Sequence, residues 1–70
     1  SKLNEYGSKH GVEIEYKLLS ETGADHNPQF VFEVVVDDKV MGKGTGGTKR
    51  EAQQNCAKIA LSKLSKQKKR

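Results

Sequence analysis

From Val12 to Leu18 the chain alternates strictly between apolar and charged residues: Val12, Glu13, Ile14, Glu15, Tyr16, Lys17, Leu18. A period of two predicts a strand that buries Val12, Ile14, Tyr16 and Leu18 on one face. A second strand is expected over Gln29–Asp37, which is rich in aromatic and β-branched residues. There Phe30, Phe32, Val34 and Val36 share one face, while Val31, Glu33 and Val35 share the other. Between the two, Glu21 to Pro28 holds the turn formers Gly23, Asp25, Asn27 and Pro28 and reads as a loop. Asp37-Asp38-Lys39 turns the chain, and Val40 to Lys43 returns as a short third strand. Connections this short make the sheet antiparallel.

Helical spacing frames these strands. Leu3 and Tyr6 lie three apart in a short helix over Lys2–Lys9, which Gly11 is placed to end in the left-handed conformation. After the third strand, Gly44-Thr45-Gly46-Gly47 reads as a flexible loop. Thr48 then caps a second helix, its hydroxyl accepting from the Glu51 amide while the Glu51 carboxylate reaches back to Thr48. Ala52, Cys56, Ile59, Ala60 and Leu64 recur on one stripe, widened by Ala57 and Leu61. The helix is expected to run to about Leu64, roughly 24 Å at ~1.5 Å per residue. The predicted order is α-β-β-β-α, a two-layer α+β domain: a three-stranded antiparallel sheet with both helices on one face. The domain occupies residues 1–65, and residues 66–70 are expected to form a basic, disordered tail.

Composition narrows what such a domain can do. Seventy residues make one small domain with little room for a deep catalytic cleft. No stretch approaches the roughly 20 apolar residues of a membrane span, and the first segment lacks the pattern of a signal peptide. Cys56 is the only cysteine, so no intramolecular disulfide can form. With His10 and His26 it makes no zinc-ligand pattern, and neither metal nor cofactor is expected. An intracellular setting, cytoplasm or nucleus, suits an unpaired thiol.

Charge is distributed unevenly. Residues 1–41 carry four basic and eight acidic side chains, a net of −4, and residues 42–70 carry nine basic and one acidic, a net of +8. A molecule polarised in this way turns a positive region toward a polyanion. The plainer alternative is a solvated lysine-rich helix. The segment Gly44 to Gln53 favours the polyanion: a glycine-rich stretch enters a capped helix whose first turn carries Lys49 and Arg50. Unpaired N–H groups and the helix dipole attract anions at that end, where cations would ordinarily be disfavoured.

Over nearly its whole length the chain resembles the double-stranded RNA-binding domain family. The residues that carry the resemblance are Leu3-Asn4-Glu5-Tyr6, Gly11 before a strand with Tyr16, Gly23-Ala24-Asp25-His26, and Phe30 with Val34 and Val36. They are followed by Gly44-Thr45-Gly46-Gly47-Thr48-Lys49-Arg50-Glu51-Ala52-Gln53, then Cys56-Ala57 and Ala60-Leu61. The resemblance implies a largely sequence-independent grip on double-stranded RNA, spanning about 16 base pairs and touching two minor grooves and the phosphates between them. It places Ser1, Asn4, Glu5 and Ser8 at one minor groove, His26 and Asn27 at the second, and Lys49, Arg50 and Gln53 at the phosphates. Glu5 can only accept there, from hydroxyl or amino groups. His10 matches no contact position.

Two positions depart from the family pattern. Gln53 stands where a third lysine is usual, which removes one charge from the phosphate contacts. Ala24 replaces a common proline, which loosens the minor-groove loop. Lys66, Lys68, Lys69 and Arg70 can restore some charge. The alternative function is a protein-interaction or dimerisation module of the same fold with weak RNA binding, using an outer sheet face that carries Val31, Val35 and Leu19 beside Glu13, Glu15 and Glu33. The Gly44–Gly47 stretch also fits the GXXG loop of KH domains, but that loop joins two helices and here a strand precedes it. A nucleotide-binding phosphate loop lacks its lysine-serine/threonine completion. The domain is expected to catalyse nothing by itself, whereas a longer parent protein can be an RNA-processing or RNA-regulated enzyme.

Overall fold

Strand pairing follows the alternation just described, in a computed structural model that describes residues 2–23 and 26–68, with side chains as far as Ser65 in the last helix. Helix α1 covers Lys2–His10, strands β1, β2 and β3 cover Ile14–Thr22, Gln29–Val36 and Lys39–Gly46, and helix α2 covers Lys49–Lys68. The sheet order is β1-β2-β3, antiparallel throughout, so β2 is central. Its inward residues Phe32, Val34 and Val36 are buried with Leu3 of α1, Met41 of β3, and Ala52, Cys56, Ala57, Ala60 and Leu64 of α2. Both helices lie on that one face, as the apolar stripes require.

Local chemistry fixes the ends of α1. Gly11 is left-handed at φ 68°, and the Val12 amide donates to the Gly7 carbonyl at 3.0 Å. That backward bond across a left-handed glycine is a Schellman stop. Leu3 and Gly7, four apart, form the buried stripe of α1. A Cβ on Gly7 would stand 2.7 Å from Ile14 Cγ1, so a bare backbone there lets the helix rest on the start of β1.

The structure corrects the expected boundaries. β3 does not end at Lys43: Gly44, Thr45 and Gly46 pair with Phe32, Val31 and Phe30. This stretch is ordered strand, and its glycines serve packing. Gly42, Gly44 and Gly46 face α2 in alternation. A Cβ on Gly42 would approach the Cys56 carbonyl oxygen to 2.7 Å, one on Gly46 the Ala52 nitrogen to 2.7 Å, and one on Gly44 would collide with the Cys56 backbone nitrogen. Strand β1 runs on to Thr22, shortening the loop to residues 23–28. Helix α2 continues to Lys68, past the expected end near Leu64. Lys69 and Arg70 lie outside the described residues, as do Ala24 and Asp25.

Three side chains differ from expectation in their exposure. Leu18 is 43 % exposed, because α2 lies over β2 and β3 while α1 covers only the start of β1. A bulge at Leu19, between the pairs Leu18–Phe32 and Ser20–Val31, then shifts the register. Ile59 sits at the flank of the α2 stripe and is 41 % exposed. On the outer face Val35 is buried, opposite Val40 across a second bulge that leaves Met41 unpaired and turned into the core.

Candidate nucleic-acid interface

The start of α2 is held in place by three contacts. The Glu51 amide donates to Thr48 Oγ1 at 3.0 Å, the cap read from the sequence. The Ala52 amide donates to the Thr48 carbonyl at 3.0 Å, the first bond of the helix ladder. The Glu51 carboxylate does not reach back to Thr48, however. It accepts from the Gly47 amide at 2.6 Å, one residue earlier. That engages the one acid of the first turn with the chain that leads into the helix. Lys49 and Arg50 are exposed beside it, and no hydrogen bond or ion pair among the described residues engages either cation.

α1 supplies the second part. Asn4 and Ser8, four residues apart, form a stripe next to the buried Leu3–Gly7 stripe, and Glu5 lies one step further round; all three are exposed. Tyr6 and His10 stack on the same helix with ring centroids 4.2 Å apart. Ser1 lies outside the described residues.

His26 and Asn27 occupy the connection between β1 and β2, and both are exposed. That connection and the β3–α2 junction meet at one end of the sheet, where the Pro28 carbonyl oxygen lies 4.0 Å from a Cβ built on Gly47. The loop bearing His26 therefore stands beside the helix start bearing Lys49.

Between α1 and α2 runs a groove of about 510 Å³. Leu3, Tyr16, Ala57 and Leu61 form its apolar lining, and Asn4 from α1 faces Arg50 and Gln53 from α2 across it. The fold thus brings Asn4, Arg50 and Gln53 together. It leaves Glu5 and Ser8 further round α1 and sets Lys49 at the tip of α2. Gln53 is half-buried here, less open to solvent than a surface phosphate ligand. Lys2, Gln54 and Lys58 line the same groove and were missed in the sequence. The signal was present for two of them, since Arg50, Gln54 and Lys58 recur at intervals of four.

Cys56 has no place in this interface. It is fully buried against β3, its thiol donates to the Gln53 carbonyl at 3.2 Å, and burial pushes its pKa up. No cluster of three or more potential metal ligands exists among the described residues, and no helix among them is long and apolar enough to cross a membrane.

Among the described residues, the capped helix start thus presents two exposed cations that no hydrogen bond or ion pair engages, with an exposed polar stripe on α1 and with His26 and Asn27 exposed on the neighbouring connection. The double-stranded RNA binding motif matches residues 1–64, and the chain belongs to that family. Among similar proteins, ribonuclease 3 of Oceanobacillus iheyensis is 46% identical over 66 residues, covering 93% of this chain and 29% of that protein. The interferon-induced, double-stranded RNA-activated protein kinase of Rattus norvegicus is 40% identical over 68 residues, covering 97% of this chain and 13% of the kinase. The chain thus spans less than a third of these curated relatives. Among solved structures, the first dsRBD of HYL1 superposes with a TM-score of 0.77 at 27% identity over 96% of both chains. The same α-β-β-β-α fold recurs in the second dsRBD of DRB4, with a TM-score of 0.69 at 26% identity.

Proposed function

We propose that this chain binds double-stranded RNA by shape and backbone contacts, with α1 in one minor groove, the His26 loop in the next, and the start of α2 on the phosphates between them. The single observation that best supports this reading is the groove lined by Asn4 of α1 and by Arg50 and Gln53 of α2. Among the described residues no hydrogen bond or ion pair engages Lys49 or Arg50 beside it. A-form RNA offers 2′-hydroxyls across a wide minor groove, which suits the donors and acceptors of Asn4, Glu5, Ser8, His26 and Asn27. The major-groove phosphates suit Lys49 and Arg50, and Gln53 can add a neutral hydrogen bond.

The domain works as a binding module that catalyses nothing by itself. Its relatives include a ribonuclease and a kinase of which it spans a fraction, so an enzymatic parent that borrows this grip is part of the proposal. The unpaired, buried Cys56 accords with a cytoplasmic or nuclear setting. Self-association through the outer sheet face is the weaker reading. Of the three apolar residues read for that face, Val35 is buried and Val31 half-buried, and Leu19 is exposed.

Titration of a 20-base-pair RNA duplex, the matching DNA duplex and the single strand tests the assignment. RNA duplex is expected to bind much the tightest in moderate salt. Equal affinity for the two duplexes would leave charge alone and end the shape-reading proposal.

A further inference from the structure

We infer that the groove between α1 and α2 is a further seat for the phosphodiester backbone of the bound RNA, with Lys2 and Lys58 as phosphate ligands beside Arg50. The inference rests on the RNA-binding reading of the helix start and extends it along α2.

The lining of the groove is one-sided in charge. Among the described residues its charged side chains are Lys2, Arg50 and Lys58, without a carboxylate among them, although the chain carries nine acidic residues. The remaining polar groups are the amides of Asn4, Gln53 and Gln54, which can donate to phosphate oxygens or accept from 2′-hydroxyls. Three cations around a concavity with apolar walls repel one another and concentrate positive potential, an arrangement relieved by an anion. Arg50, Gln54 and Lys58 stand on one stripe of α2, so a neutral hydrogen-bonding amide joins the cation near the helix start to the one two turns on. Lys2 faces that stripe from the opposite helix. A backbone strand that docks at Lys49 and Arg50 and follows this stripe meets Lys58 two turns later, and Lys2 across from it. These cations also account for how the interface works with a glutamine at position 53: the charge lost there is available on both sides of the groove.

The test is a salt series of titrations with one RNA duplex on wild type, Lys2→Gln, Lys58→Gln and the double variant. Two comparators run beside them: Lys49→Gln with Arg50→Gln at the helix start, and Lys17→Gln on the outer sheet face. Each single groove variant is expected to flatten the slope of log affinity against log salt by about 0.7–0.9 and to weaken binding roughly fivefold at physiological salt, and the double variant to flatten it by about twice as much. Lys17→Gln, which removes the same net charge elsewhere, is expected to leave the slope unchanged. If the groove variants behave as wild type while the helix-start pair loses slope, the groove inference is overturned and the interface stands. If the helix-start pair is also unaffected, the RNA reading of that helix fails and the inference fails with it. If Lys17→Gln flattens the slope as much as the groove variants do, net charge alone explains the effect and the groove is not a seat. Circular dichroism confirms that each exposed-lysine variant is folded.

Discussion

Asn55 donates its side-chain amide to the backbone carbonyl of Thr45 at 2.6 Å, tying the second turn of α2 to the end of β3. Together with the bond from the Gly47 amide to Glu51, four residues earlier on the same face of α2, it ties the β3–α2 junction to the helix at two points. The segment that presents Lys49 and Arg50 is therefore set before RNA arrives, and less ordering remains to oppose binding.

Asn55→Ala removes the bond while leaving every cation in place. We expect a stability loss of about 1 kcal/mol, the usual net worth of such a hydrogen bond, in urea unfolding. RNA affinity is expected to fall with an unchanged salt slope, because the junction loosens but no phosphate contact is deleted. A flattened slope would show instead that Asn55 shapes the charge contacts themselves.

The glycines of β3 allow a sharper contrast. Alanine ordinarily suits a strand interior better than glycine. At Gly44 the new Cβ would collide with the backbone of Cys56, which a helix can relieve only by moving away. Gly44→Ala is expected to cost about 1–3 kcal/mol, in the range of other overpacking substitutions. Gly47→Ala meets nothing nearer than 3.6 Å and is expected to stay within about 0.5 kcal/mol of wild type. Thermal melts of the two variants under one condition decide the matter. Similar midpoints would mean that α2 does not rest on β3 as closely as described.

The same glycines show where the sequence was legible and where it was not. The alternation through Val12–Leu18 and Phe30–Val36 gave the strands, and Thr48 gave the start of α2, because each signal is local and follows a fixed period. Gly42, Gly44 and Gly46 also alternate, as inward positions of a strand should. They read as loop because glycine is depleted in strands, and only the closeness of a helix not yet placed explains them. Leu18 and Ile59 were assigned to the core on period alone. Their exposure depends on how far each helix reaches over the sheet, which is a tertiary fact. For the interface, the cations at 49 and 50 were visible in one turn of sequence. Lys2 joins them only when α1 packs on α2, across nearly fifty residues of chain.

The turn between β2 and β3 offers a gain in stability. Asp37 and Asp38 have φ of 54° and 71°, the paired left-handed geometry of a type I′ hairpin, which favours Asn-Gly and Asp-Gly. Val36 pairs with Lys39 across it, so the turn closes tightly. Asp38→Gly relieves a left-handed non-glycine residue and is expected to raise stability by about 1 kcal/mol. This turn lies at the opposite end of the sheet from the His26 loop. RNA affinity and its salt slope are therefore expected to remain at wild-type values. Lower stability would show that the Asp38 side chain contributes more than the strain costs.

Gln53→Lys restores the third cation usual in the family, and the structure decides what room it has. Gln53 is half-buried in the groove, one turn after Lys49 and beside Arg50. A lysine there can lay its methylenes along the apolar lining and carry its ammonium to the rim, because long cationic side chains separate stem from head in this way. In the free protein the new charge faces Arg50 at three residues and Lys49 at four, a repulsion of about 0.2–0.5 kcal/mol for each such pair. Stability is thus expected to fall slightly. On RNA the phosphates screen that repulsion, so duplex binding is expected to tighten and its salt slope to steepen by up to about 0.7–0.9. The gain in affinity is smaller than a free lysine would give, since ordering the side chain costs part of it. Paired measurements on wild type and variant separate the two effects: a melt for the free protein, and a salt series on one duplex for the complex. Lower stability with no change in affinity or slope would place position 53 away from the phosphates, leaving Gln53 as a neutral spacer between the two helices.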